Sequence, residues 1–173
     1  MSSTKTAITI SFFIAIFLLQ ESLINQIDFF LGGFSLYLAL LFSWMVNEER
    51  SGIFLSAFIG GLLLDFTPTL DTPVGLWTFT LLLIAYAISR FQDELGDLAS
   101  KPITAAMYLV AATSLSASLY LVISGILGND IPPVTIVLRE LIGNSLWTLL
   151  FSPIYFPLIY RLKERLFSEQ VRL

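Results

Sequence analysis

Four ionisable side chains stand where this chain is otherwise apolar: Asp65 and Asp71, flanking a turn, and Arg139 and Glu140, shortly after Pro133. Ionisable groups inside a bilayer mark functional sites or internal ion pairs. Glu140, Asn144, Thr148 and Ser152 recur at every fourth residue and draw a polar stripe along one helix face. Such a stripe is a ligand-facing wall, an interface with another membrane protein, or internal hydrogen bonding that includes an ion pair from Arg139 to Asp65 or Asp71. Catalysis has little to work with. The chain has no His and no Cys, so its serines lack a base, no thiol is available, and neither a metal-binding spacing nor a Gly-rich phosphate loop occurs. We expect no enzymatic activity, no cofactor and no metal site.

The elements that must position these residues follow from the charge pattern. Of nine Lys and Arg, eight (Lys5, Arg50, Arg90, Lys101, Arg161, Lys163, Arg165 and Arg172) fall at the ends and at alternate gaps between apolar runs. The other gaps are acidic, with Glu21 and Asp28, Asp65 and Asp71, and Asp130. The runs cover residues 6–23, 29–46, 53–64, 74–89, 102–127 and 134–160. An all-α integral membrane protein of six transmembrane helices is expected, a single membrane domain over 1–173 with both termini cytoplasmic because positive charge is retained inside. A 56% hydrophobic composition and mean hydropathy of +0.84 agree. The net charge of −4 is spread along the chain, so no nucleic-acid role is indicated. The first run lasts about 18 residues with no Ala-x-Ala-like site after it, and reads as an anchor rather than a signal peptide.

The third and fourth runs make a short hairpin. From Arg50 to Asp65 a helix reaches about 22 Å, less than a hydrocarbon core of about 30 Å, so Asp65 and the tip through Pro73 sit deep. Gly52, Ser56 and Gly60 repeat at four-residue spacing with Ala57 and Gly61 beside them, a small-residue face for close helix packing within the bundle, against a partner or against a second copy. The fifth run repeats the theme with Ala111, Ala112, Ser114, Ser116, Ala117 and Ser118. The third and fifth helices are thus expected to be central and the first peripheral, with Phe12 tolerant of substitution. Pro153 and Pro157 should kink or end the sixth helix, and Leu162, Leu166 and Phe167 among basic residues suit an interfacial turn that anchors topology.

The stretch Arg50 to Arg90 carries a resemblance: Gly60-Gly61-Leu62-Leu63-Leu64-Asp65 closing a small-residue helix, then Pro68, Asp71, Pro73 and Gly75-Leu76-Trp77, then an apolar helix with Tyr86. It is similar to the MreD family of rod shape-determining membrane proteins. The insertion with Pro68, Asp71 and Gly75 resembles the actinobacterial branch, from which Leu76 departs, since that branch has a basic residue there. The resemblance implies a noncatalytic component of the cell-wall elongation machinery in the bacterial cytoplasmic membrane. It would hold MreC and work with MreB, RodA and a class B penicillin-binding protein in peptidoglycan synthesis and cell shape. It also implies a fold similar to the substrate-binding subunits of energy-coupling-factor transporters. Such a vitamin- or metal-binding subunit is the second reading, with Asp65, Asp71, Trp77, Arg139 and Glu140 as pocket groups. A channel or carrier acting alone is a third, weakened by the lack of an inverted counterpart to the hairpin.

Overall fold

Each apolar run contributes one helix, and the start of α2 is set by a serine cap and that of α4 by a glycine. The computed structural model describes residues 3–46, 48–67, 73–91 and 101–168, and all regular structure among them is helical. We number the helices α1 (Ser3–Ser22), α2 (Leu36–Met45), α3 (Arg50–Asp65), α4 (Leu76–Arg90), α5 (Pro102–Ile126) and α6 (Val134–Ser168), with a 3-10 turn at Ile24–Gln26. Three segments are long and apolar enough to cross a membrane: Lys5–Gln26, Pro102–Ile126 and Val134–Leu166. Helices α2 and α4 are apolar but shorter.

The second run is not helical throughout. Its first part, Phe29 to Ser35, is irregular, with Gly32 at a φ of 115° that side chains disfavour. The helix starts only where the Ser35 hydroxyl accepts the Leu38 amide at 3.3 Å. Ten residues make α2 about 15 Å long. Short as it is, α2 is the centre of the bundle: residues 37–46 are all buried, and it packs on α1, α3, α5 and α6. This corrects the expectation that α3 and α5 are central. A helix that is apolar all round has no face to give to the surroundings, whereas a small-residue face on one side of a helix needs only one close neighbour. α1 is peripheral, contributing Thr9, Phe13, Ile16 and Gln20 to the interior. Phe12, however, stacks on Trp44 with ring centroids 4.6 Å apart, so it is a packing residue and not a neutral position.

The sixth helix runs on through Pro153 and Pro157 to Ser168, so of the two expected outcomes, a kink or an end, the prolines do not end it. Pro153 cannot donate to the Leu149 carbonyl four residues back. The Ser152 hydroxyl donates to that carbonyl instead, at 2.9 Å, so the turn stays satisfied inside the apolar region. The basic segment after Tyr160 is therefore the last stretch of α6. Lys163 on it is buried. The side chain of Phe167 lies outside the described residues.

Candidate functional site: a cavity where the six helices meet

The hairpin tip is built around Asp65, the last residue of α3. Both carboxylate oxygens face the start of α4: the Trp77 amide donates to Oδ1 at 2.8 Å, and the Thr78 amide and hydroxyl donate to Oδ2 at 3.1 and 2.6 Å. These amides belong to the first turn of α4, which lacks intrahelical acceptors and carries the positive end of the helix dipole. Three charge-assisted bonds, each worth about 1.5–3 kcal/mol, tie the two helices end to end. Gly75 precedes that turn at a φ of 103°, and a Cβ there would meet nothing within 4 Å, so glycine serves the backbone at this position and not packing. Pro73 beside it is exposed.

The small-residue face of α3 is spent inside the bundle. A Cβ on Gly61 would fall 2.8 Å from the Thr78 nitrogen and nearer still to the Thr78 Cα, so the backbones of α3 and α4 touch there. Gly60 faces α2: a Cβ would meet Leu41, and the Tyr37 hydroxyl donates to the Gly60 carbonyl at 3.1 Å. Ser56 is buried, and Gly52 lies against the Glu48 side chain.

Asn144, Thr148 and Ser152 of the α6 polar stripe are buried, while Glu140 at its start is exposed. The stripe's first two members hold the irregular segment before α2: the Gly33 amide donates to Glu140 Oε2 at 2.6 Å, and the Ser35 amide to Asn144 Oδ1 at 2.9 Å. Gly143 makes the approach possible, since a Cβ on it would lie 2.7 Å from the Leu31 carbonyl carbon and 3.0 Å from the Gly32 Cα. Gln20, from α1, completes the cradle by accepting the Tyr37 amide at 3.2 Å and donating to Asn25 and to the Phe34 carbonyl. The Gly33, Ser35 and Tyr37 amides are thus met by protein side chains. Farther along, Thr148 and Ser152 are buried against the bundle.

These pieces line a partly open cavity of about 370 Å³, to which all six helices contribute. Its walls are apolar (Leu38, Leu64, Leu121 and Leu141 among them), with Glu140 and Asn144 on one side. Trp77 and Tyr120 line it as a stacked pair, 4.1 Å between centroids and 14° between planes.

At the opposite end of α2, Lys163 does the converse work. Its Nζ donates to the Trp44 carbonyl at 2.6 Å, pairs with Glu48 at 2.9 Å, and sits 4.8 Å from the centre of the Trp44 ring. A cation at a helix C-terminus opposes the dipole favourably.

The structure thus brings together Glu140, Asn144 and Trp77, and places Asp65 beside them as a cap. The expected ion pair from Arg139 to Asp65 does not form: Arg139 is exposed, and Asp65 faces α4. Asp71 lies outside the described residues. Sequence reasoning missed Gln20, Tyr120, Gly143 and Lys163. Gln20 was the polar interruption at the end of an apolar run, and Gly143 the small residue beside Asn144, but Lys163 carried no signal apart from its neighbours Arg161 and Arg165. No protein-family model, curated protein or solved structure matches this chain.

Proposed function

We propose that this chain is a noncatalytic membrane scaffold of the MreD type, holding MreC in the bacterial cytoplasmic membrane and supporting RodA, a class B penicillin-binding protein and MreB in wall elongation. The observation that carries the reading is the hairpin of residues 50–90. Its resemblance to the family rests on Gly60, Gly61, Asp65 and Gly75, and the work these residues do is to fuse two helices into one rigid unit through backbone contact and a shared cap. Rigid helix pairs suit holding a partner better than turning over a substrate. In this reading all six helices cross the membrane, with both termini cytoplasmic. The outer face of α6, with exposed Leu138, Ile142, Leu146 and Leu150, supports a surface for lipid, for a partner's helix or for a second copy.

A tagged copy, purified from its native membrane in mild detergent and examined by mass spectrometry, should bring MreC, with RodA or the penicillin-binding protein. Recovery of an ATPase pair with its coupling protein would replace the scaffold with a transporter subunit. Because the chain has no cysteine, Asp130→Cys should react with an impermeant maleimide from outside, and Lys101→Cys only after permeabilisation. The reverse pattern would invert the topology.

A further inference from the structure

We propose that the cavity between the six helices binds a small organic ammonium compound: an apolar body carrying a cationic nitrogen with an oxygen beside it. A scaffold needs no ligand, so this site stands or falls independently of the scaffold reading.

The hydrogen-bond inventory of the cavity leads to this class. Most polar groups in its wall are used up internally. Gln20 has its carbonyl and amide engaged, the Ser35 hydroxyl takes the Leu38 amide, and Asn25 bonds to Gln20 and Glu21. Among the groups left over are one atom each of Glu140 and Asn144. Gly33 occupies only Oε2 of Glu140, and Ser35 only Oδ1 of Asn144. Glu140 Oε1 and Asn144 Nδ2 therefore have no partner among the described residues, and both side chains line the cavity. Asn144 is 8% exposed, whereas Glu140 stands at the exposed side of the cavity.

The two groups stand one helical turn apart on α6, about 6 Å between their Cβ atoms. The carboxylate accepts from a cation, and the amide donates to an oxygen. Glu140 is the only charged side chain among the described lining residues, so an anion is repelled and an ammonium forms a charge-assisted bond. The Trp77 and Tyr120 rings offer a further face of the kind that attracts ammonium groups. The apolar remainder of the wall accepts a hydrocarbon body, and the volume lies within the usual range for small-molecule sites, about 300–1,000 Å³.

The test uses the full chain in lipid nanodiscs, titrated calorimetrically with three probes of one shape: phenylethanolamine (cationic), phenylethylene glycol (its neutral diol counterpart) and mandelate (anionic). Empty nanodiscs correct for partition into lipid. Saturable binding of phenylethanolamine, weaker by about tenfold or more for the diol and absent for mandelate, is expected. Glu140→Gln keeps an acceptor for the Gly33 amide but removes the charge, and should abolish the preference for the cation over the diol. Ala117→Phe fills the cavity from α5 without touching α6's contacts to the irregular segment, and should abolish all binding. Absence of saturable phenylethanolamine binding, equal binding of the three probes, or unchanged affinity in Ala117→Phe overturns the proposal, and the last of these decides even if Glu140→Gln does not fold. MreC recovery is read separately, so a failure here leaves the scaffold reading standing.

Discussion

Replacing Gly61 with Ala isolates the closest backbone contact in the hairpin. In a helix interior Ala is favoured over Gly by about 1 kcal/mol, so propensity alone predicts stabilisation. The new methyl, however, would sit 2.8 Å from the Thr78 nitrogen, where about 3.5–4 Å is comfortable. Backbone cannot rotate away as a side chain can, so α4 must retreat from α3 by about 1 Å. That retreat carries the Trp77 and Thr78 amides with it and stretches bonds of 2.8 and 3.1 Å to Asp65 beyond useful length. Overpacking costs about 1–3 kcal/mol and the weakened cap about 1.5–3 kcal/mol. After the gain in propensity, a net loss of about 1.5–5 kcal/mol is expected. Gly60→Ala has Leu41 side-chain carbons, rather than backbone, as its nearest neighbours and should cost about 1 kcal/mol or less. The assay is reversible unfolding of the purified protein in mixed micelles with increasing SDS, with Leu18→Ala on the exposed face of α1 as the neutral control. If Gly61→Ala proves as stable as the parent, or Gly60→Ala proves the more damaging, the backbone-contact argument is wrong.

Two further substitutions probe the ends of the bundle. Lys163→Met removes an ion-pair partner of Glu48 and a donor to the Trp44 carbonyl, and should lower stability by about 2–4 kcal/mol in the same assay, with part regained in the Glu48→Gln, Lys163→Met double variant; additive losses would mean the pair is not coupled. Ser152→Ala should cost about 1 kcal/mol because the Leu149 carbonyl loses its donor, but nearly nothing in a Pro153→Ala background where the backbone amide returns; an equal cost in both backgrounds would refute the substitution of side chain for backbone.

What could be read from the sequence was whatever depends on neighbours along the chain. The six apolar runs mark the six helices, and the Gly60 to Asp65 segment marks the hairpin, because hydrophobicity and small-residue spacing act locally. The central place of α2 was hidden. Its run looks like a full-length span until Gly32 and Gly33 are seen to break it, and what breaks it is a need to pass close to Gly143 on a helix more than a hundred residues away. Asp65 was legible as a special residue but not in its role. A deep carboxylate suggested a cation partner, and the structure meets it with helix amides, which sequence does not display as charges. Lys163 was misplaced for a related reason: among basic neighbours it reads as a topology signal, and only the fold shows that this lysine turns inward.

The way α2 is held has a consequence for how the protein is made. Its leading end is secured by Glu140 and Asn144, and its trailing end by Lys163, all on α6, across separations of 107, 109 and 119 residues. At about 5–20 residues per second, ribosomes deliver those anchors roughly 5–25 s after α2 itself. Through that interval the amides of the Gly33–Ser35 segment and the Trp44 carbonyl lack their final partners, so this segment must wait in water, in the insertion machinery or in the care of a chaperone before it can settle. A chain interrupted before α6 keeps the Gln20 contact to the start of its most buried helix but lacks the α6 anchors at both ends.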